Sequence, residues 1–459
     1  MERTAVLVAG EEETAREDRT MRFSRLVLVS LLAGIITGIV GSAFHAGLDA
    51  ANRLRAAGAA WAHHLPGIGM PALLACTAAA AIVARGLVIR FAPVAAGSGI
   101  QHVEAVVKGQ AVPAGFAAIP VKFVGGILAI GAGLALGREG PTVQMGATIG
   151  SLCGGGLLRT LRDRVTIHAA TAGAGLAVAF NAPVGGCVFV FEELTKRITP
   201  PFMTATLIAT GAAIATMRVL YGNALDLVVP STGAVALPLL AAFVALGVFL
   251  GLVGSAYSAL TLALLQIADR MRAIPWPVTT GTIGLLIGLL VWFAPGLAGG
   301  GEDLTRDVLA GRFGLTTLAA VLLVRFVVGP LSYAAGTPGG LFMPLLMVGA
   351  CCGACLAGVL VIGFGATLSP VDFAVAGMAG LFSAVIRAPL TGIALVIEMT
   401  GRADLSLSIL VASIVAAMTA TALGSVPIYD SLGQRMSAAS ARAPQVLRSA
   451  ISLNARRSE

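Results

Sequence analysis

Glu139 lies in the segment Gly137-Arg138-Glu139-Gly140-Pro141, beside an arginine and two residues before a proline. Proline is favoured in the first turn of a helix, where its missing N–H would have no partner. The segment therefore predicts a helix that begins here, with a carboxylate at its positively polarised N-terminus. Such a carboxylate takes the position of a bound anion, and protonation would release it. Glu139 could therefore act as a gate that excludes an anion and as a proton carrier. The alternative is that Glu139 only caps the helix.

A second segment, Gly340-Leu341-Phe342-Met343-Pro344, has the same arrangement, and Pro344 follows Pro141 by 203 positions (344 − 141). Further landmarks recur at this or nearly this spacing: Lys122 and Arg325, Gly146 and Gly349, Gly150 and Gly353, Pro183 and Pro389, and Glu192 and Glu398. The pattern indicates a duplicated unit, which is typical of transporters that bind their substrate between two halves. Two helix N-termini that face a shared centre would form an anion site there.

The composition indicates an integral membrane protein built from helices. Of the 459 residues, 57% are hydrophobic and only 11% are charged, and the mean hydropathy is +0.92. The apolar runs are long, and they lack the alternation of strands. Glycine and proline interrupt the runs 119–160 and 316–363, and the segments 222–235 and 299–313 are expected to be polar connections. A broken helix is tolerated in a membrane only where protein or a watery cavity receives its backbone groups.

Charge predicts the orientation of the chain. Arginines flank the first apolar run and are numerous in the C-terminal tail, and positive flanks prefer the cytoplasm. Both ends are therefore predicted to be cytoplasmic, in a bacterial-type inner membrane. The net charge of +8 follows from this topology and requires no nucleic acid as a partner. The predicted divisions are a cytoplasmic N-terminal tail, a first transmembrane repeat, a second transmembrane repeat and a cytoplasmic C-terminal tail, over 1–25, 26–225, 226–435 and 436–459.

Metal and cofactor chemistry is not expected. The six cysteines do not suggest a disulfide framework, and the five histidines have no metal-ligand spacing. An intramembrane enzyme that uses Glu139 and Glu193 as an acid pair is a rival hypothesis. No nucleophile, metal set or cofactor motif accompanies those two residues, which argues against an enzyme.

Four motifs together resemble the CLC family of chloride channels and chloride/proton exchangers, in its short prokaryotic form. They are Gly97-Ser98-Gly99-Ile100, the segment around Glu139, the segment before Pro344, and Tyr429, in the family's order and spacing. The resemblance covers about residues 26 to 435. It implies an all-α membrane protein of the CLC-type fold, with two inverted-topology repeats of broken, tilted helices. It also implies chloride and protons as the transported species, a homodimer in the lipid bilayer, and no cofactor.

The resemblance also implies roles for individual residues. The hydroxyl groups of Ser98 and Tyr429 would donate to a central anion, which the backbone N–H groups of Leu341 and Phe342 would also bind. Arg138, Glu139 and Gly140 would line an outer anion position, with Glu139 as the gate. Neutral donors and helix dipoles suit chloride, because a full positive charge would hold the ion too tightly for rapid release.

Glu193 distinguishes an exchanger from a channel. It resembles the internal proton-transfer glutamate of the exchangers, and the alternative is a surface acid paired with Lys196 or Arg197. An exchanger is favoured, and a passive voltage- or pH-gated chloride channel is the alternative. Glu192 and Glu398 recur in both halves and are interpreted as structural. Glu104 and Lys122 are both expected to be buried and to form a pair.

The chain departs from the family pattern at Gln101, where proline is common, so the anion preference stays open. Both the serine and the tyrosine positions are filled, which argues against the fluoride-handling branch. The short segment after Tyr429 predicts no cytoplasmic nucleotide-sensing domains.

Overall fold

The computed structural model describes residues 2–223, 227–229, 231, 233, 236–365 and 368–441. In this part of the chain, seventeen α-helices form the fold. The β-type backbone pairing in these residues is limited to two isolated bridges, Gly97 with Pro338 and Gly137 with Gly340. Eight of the helices are long and apolar enough to cross a membrane, as the hydropathy predicts. The fold is the all-α membrane architecture expected from the sequence.

The first half contains α1 to α8: Glu2–His63, Gly69–Phe91, Ile100–Val107, Ala118–Gly131, Glu139–Gly155, Leu161–Phe180, Pro183–Phe189 and Pro200–Tyr221. The second half contains α9 to α16: Leu240–Arg270, Trp276–Phe293, Glu302–Leu309, Leu315–Ala334, Phe342–Phe364, Pro370–Ile386, Pro389–Thr400 and Ser406–Ala422. The helix α17, Ile428–Ala441, follows. The predicted boundary at 225/226 and residues 442–459 of the predicted tail lie outside the described residues.

The packing of the helices repeats in the two halves. The helix α5 packs on α6 as α13 packs on α14, and α1 packs on α8 as α9 packs on α16. The repeated glycines explain the first of these matches. A Cβ atom on Gly146, Gly349 or Gly353 would collide with a backbone carbonyl group of the neighbouring helix. The duplicated pattern is therefore a duplicated mode of helix packing.

The structure divides two apolar runs that the sequence left whole. The run 165–191 separates into α6 and α7, and the run 370–397 separates into α14 and α15. Asn181 and Arg387 end the preceding helices in the left-handed conformation, with φ of 48° and 71°, and Pro183 and Pro389 begin the next ones. The helices restart because proline is suited to a first turn.

The expectation of a polar connection over 299–313 was wrong, because this segment contains α11. Its first-half counterpart is α3, which has the same length of eight residues. Both helices follow a glycine with a left-handed conformation, Gly99 and Gly301. The repeat thus extends to a pair of short helices that composition did not reveal.

Candidate functional site

Three loops meet where α3, α5 and α13 begin. The backbone N–H of Gly137 donates to the Gly340 carbonyl over 2.8 Å, and the Gly340 N–H donates back over 2.7 Å. The Gly339 N–H donates to the Gly97 carbonyl over 3.0 Å. These hydrogen bonds join the two halves and place three helix N-termini around one centre. Aligned N-terminal N–H groups make such a centre favourable for an anion.

The Glu139 side chain occupies this centre. It is completely buried, and its Oε1 accepts a hydrogen bond from the Phe342 N–H over 2.6 Å. Glu139 belongs to the first half and Phe342 to the second, so the carboxylate lies across the interface between repeats. A carboxylate that accepts a hydrogen bond from the N–H groups of a helix N-terminus takes the place that a free anion would take.

The other predicted residues of the central site lie together. The Ser98 Oγ and the Tyr429 Oη are 3.3 Å apart, and the Tyr429 ring lies edge-on to the Phe342 ring at 5.9 Å. A Cβ atom on Gly140 would lie 2.6 Å from the Ser98 Oγ, so the backbone passes directly beside this hydroxyl. Leu341 is the N-cap residue of α13 and is fully buried. The structure therefore brings the anion-binding candidates around the Glu139 carboxylate.

Arg138 makes a different set of contacts. Its Nε donates to the Ala179 carbonyl over 2.7 Å and lies 3.3 Å from the Glu302 carboxylate, and its Nη1 contacts the His45 Nε2. Arg138, His45 and Glu302 line a cavity of about 660 Å³ that also reaches Gly137. The arginine thus belongs to a vestibule next to the Glu139 segment, and its charge is partly balanced by an acid.

Sequence reasoning missed His45 and Glu302. A histidine inside the long apolar run of α1 was the one available signal for the first, and Glu302 lay in a segment assigned to a connection. Their partnership with Arg138 spans 93 and 164 positions of the chain (138 − 45 and 302 − 138). No local spacing encodes a contact of that range.

The expected pair of Glu104 and Lys122 was wrong. The Lys122 Nζ instead donates to the carbonyl groups of Gly97 and Ser98 over 2.7 and 2.9 Å. Glu104 pairs with Lys108 at 2.6 Å. Backbone carbonyl groups solvate the buried ammonium group in place of a carboxylate, and they leave its positive charge next to the loop that carries Ser98.

Arg325 repeats this arrangement in the second half. Its guanidinium group donates to the carbonyl groups of Gly299 and Gly300 over 2.7 and 2.9 Å. These two residues precede α11, as Gly97 and Ser98 precede α3. Both buried cations therefore anchor the loop before a short helix, which gives the recurrence of Lys122 as Arg325 a structural reason.

A second hydroxyl group supports the Ser98 loop. The Tyr333 Oη accepts a hydrogen bond from the Ser98 N–H over 3.3 Å, and the Gln101 side chain lies within hydrogen-bonding reach of the same hydroxyl. Tyr333 was not predicted, because one tyrosine near the end of α12 carries no recognisable motif. Gln101, which departs from the family pattern, lies in the first turn of α3, where its side chain faces Tyr333.

Glu193 is buried at 5% exposure, in a π-helical turn over Val190–Leu194 that continues α7. Among the described residues, no ion pair joins it to Lys196 or Arg197, which are exposed. The alternative of a paired surface acid therefore does not fit. A buried carboxylate at a helix end is suited to taking up and releasing a proton.

Glu192 and Glu398 form reciprocal caps between the halves. The Glu192 carboxylate accepts from the N–H groups of Leu390 and Thr391 over 3.0 and 2.7 Å, at the start of α15. The Glu398 carboxylate accepts from the N–H groups of Val184 and Gly185 over 3.0 and 2.8 Å, at the start of α7. The structural interpretation of this pair is confirmed.

Comparisons with known proteins agree with this geometry. Residues 79–421 match the family model described as voltage gated chloride channel. The chain is 37% identical over 424 residues to an H(+)/Cl(−) exchange transporter, ClcA, of Vibrio cholerae, with 89% of each chain covered.

Solved structures show the same likeness. The crystal structure of a slow cyanobacterial Cl−/H+ antiporter superposes with a TM-score of 0.85 at 31% identity, over 90% of this chain and 98% of that one. A eukaryotic CLC transporter superposes with a TM-score of 0.77 at 20% identity, over 90% of this chain and 74% of that one, which shows a shared fold. The matched motifs, the duplicated fold and these comparisons establish that the chain belongs to the voltage-gated chloride channel (CLC) family.

Proposed function

We propose that the protein exchanges chloride for protons across a membrane, with Glu139 as the gate and Glu193 as the internal proton acceptor. The observation that carries this proposal is the hydrogen bond that the Glu139 carboxylate accepts from the Phe342 N–H, at the point where the helix N-termini meet. The curated relative from Vibrio cholerae and the cyanobacterial structure are both described as chloride/proton exchangers, which supports the same activity here.

Chloride and the Glu139 carboxylate compete for one set of N–H donors. The ionised side chain fills the place of an anion, so an incoming chloride has to displace it. Protonation removes the charge that holds the carboxylate at the helix ends, and the neutral side chain then leaves more readily. A proton on Glu139 and a chloride in the site therefore favour each other, which couples the two fluxes.

Ser98 and Tyr429 supply the remaining donors. Both hydroxyl groups are buried and lie 3.3 Å apart, so an anion near them would meet neutral donors in place of a cation. The Lys122 ammonium group acts from behind the Ser98 loop, through the carbonyl groups that it holds. This arrangement attracts chloride yet permits its release, which rapid transport requires.

Protons would enter by a separate route. Glu193 lies in the turn after α7, which is not one of the three loops that form the anion site, and it is shielded from solvent. A proton taken up at Glu193 would pass to Glu139 and be exchanged there for chloride. In this scheme both chain termini are cytoplasmic, the membrane is the bacterial inner membrane, and the protein is a homodimer with one pathway per subunit. The two repeats cover 26–225 and 226–435.

Proton movement in proteoliposomes tests the exchange. A chloride gradient across vesicles that contain the purified protein should drive protons uphill, as recorded by a pH electrode outside. The Glu193→Gln variant should lose proton movement while chloride flux persists, and Glu139→Gln should lose proton movement together with pH-dependent gating. Chloride flux without proton movement in the unmodified protein would refute exchange and favour a passive channel.

A further inference from the structure

A group of charged residues at the end of α3 plays no part in the chloride site. Glu104 lies in the last turn of α3, Lys108 is its C-cap residue, and Asp430 lies in the first turn of α17. The Lys108 Nζ is 2.6 Å from the Glu104 carboxylate and 3.8 Å from the Asp430 carboxylate. One ammonium group therefore bridges two acids from different helices.

The same group adjoins Glu193. The helix α3 packs against both α17 and the π-helical turn that carries Glu193. The charged groups that act on Glu193 are Glu104, Lys196, Asp430, Glu192 and Lys108. Of these, Glu192 is held by the α15 N-terminus and Lys196 makes no ion pair within 4 Å among the described residues. Lys108 is the cation with close partners in this group.

Burial orders the group from solvent inwards. The side chains of Lys108 and Asp430 are 40% and 34% exposed, whereas Glu104 and Glu193 are 3% and 5% exposed. A proton from solvent would therefore meet the Lys108–Asp430 rim before it reaches Glu193. Two buried carboxylates that lie close together oppose each other's ionisation, and a nearby cation relieves that opposition.

We propose that Lys108 is a positioning residue at the proton entrance, where its ammonium group balances the negative charges of Glu104 and Asp430 and sets the pH range in which Glu193 exchanges protons with solvent. This inference rests on the proposed function, in which Glu193 takes up the proton. A plain i,i+4 ion pair that only steadies α3 is the competing interpretation, and it predicts no effect on proton transfer.

Removing the positive charge of Lys108 should raise the proton affinity of Glu193. Without Lys108, the negative charges on Glu104 and Asp430 lose their paired cation and act more strongly on Glu193, so Glu193 holds its proton to higher pH. Because Lys108 is partly exposed, we expect a shift of about one pH unit at low salt, a tenfold change in proton affinity, and a smaller shift at high salt.

The test measures chloride-driven proton flux in proteoliposomes across a series of symmetric pH values. Lys108→Met should move the midpoint of the pH profile of proton flux upwards by about one unit, and Lys108→Arg, which keeps the charge, should retain the unmodified profile. Asp430→Asn removes a negative charge and should move the midpoint downwards. It also provides an independent test if the methionine variant does not fold.

Three results would overturn the inference. A Lys108→Met profile that matches the unmodified protein would show that the charge at this position does not act on proton transfer. Equal shifts in the methionine and arginine variants would assign the effect to side-chain shape. An unmodified protein that moves no protons uphill would refute the proposed function itself, and this inference with it.

Discussion

The reciprocal caps of Glu192 and Glu398 lead to a prediction that separates fold from transport. Each carboxylate accepts two backbone N–H groups at the first turn of a helix in the other repeat, over 2.7–3.0 Å. Glutamine at either position keeps the size of the side chain but loses the charge and one acceptor oxygen. The amide that replaces this oxygen is a donor, and it would face an N–H that is also a donor.

The cost follows from these bonds. A hydrogen bond to a charged group contributes about 1.5–3 kcal/mol, and a donor left without a partner costs about 1–3 kcal/mol when buried. Both glutamates are partly exposed, so water can replace some of the loss. We expect each single variant to lose about 2 kcal/mol of stability, which lies within both ranges and below their sum. The double variant should lose about twice as much if the two caps are independent.

Thermal unfolding of the purified protein in detergent, followed by aggregation or by loss of near-UV signal, measures this effect. Glu192→Gln and Glu398→Gln should each unfold several degrees below the unmodified protein. In proteoliposomes, both variants should keep the proton-to-chloride ratio of the unmodified protein, because neither carboxylate belongs to the proposed proton route.

Glu193→Gln is the matched control, since it changes the neighbouring acid in the same turn. It should abolish proton movement and leave the unfolding temperature near that of the unmodified protein. If Glu192→Gln uncoupled protons from chloride while its stability was unchanged, the assignment of Glu192 to the fold would be refuted. The same result would place the proton route through the caps.

Two further predictions concern the Ser98 loop. Lys122→Met removes two charge-assisted hydrogen bonds to this loop and should weaken chloride binding by about tenfold, as measured by calorimetry. Lys122→Arg should bind chloride nearly as the unmodified protein does, because an arginine holds the equivalent loop in the second half. Unchanged binding in the methionine variant would contradict this role. Gly140→Ala would place a methyl group 2.6 Å from the Ser98 Oγ and should reduce chloride flux at least tenfold. A methyl group on Gly155, in the same helix, would have no atom within 4 Å, so Gly155→Ala should leave the flux unchanged. Equal fluxes in the two variants would show that the backbone beside Ser98 is not closely packed.

Several features were predictable because their causes are local. Proline two residues after Glu139 predicts a helix that begins there, and the structure begins α5 at Glu139. The interruption before Pro344 likewise predicts the start of α13. The repeated spacing predicts two related halves, since a duplicated pattern of glycines and prolines makes a duplicated pattern of helix breaks. The membrane architecture follows from hydropathy in the same way.

Other features were not predictable, because they depend on contacts between distant parts of the chain. The helix α11 was missed because its eight residues include Glu302, Asp303, Arg306 and Asp307, which interrupt any apolar pattern. The sequence suggested an ion pair between the buried Glu104 and Lys122, but the Lys122 ammonium group donates to backbone carbonyl groups, which every residue carries. A sequence cannot show which of these carbonyl groups will meet the cation.

The sequence by itself determined which residues can bind an anion or carry a proton, where the helices break, and that the two halves are related. The tertiary structure alone decided that the Glu139 carboxylate reaches the Phe342 N–H, that Arg138 faces His45 and Glu302, and that Lys108 joins α3 to α17 beside Glu193. The physical reason is the range of the interactions. Helix capping and hydropathy act within a few residues of the chain, whereas the charges of the site act through space, between groups that only folding brings together.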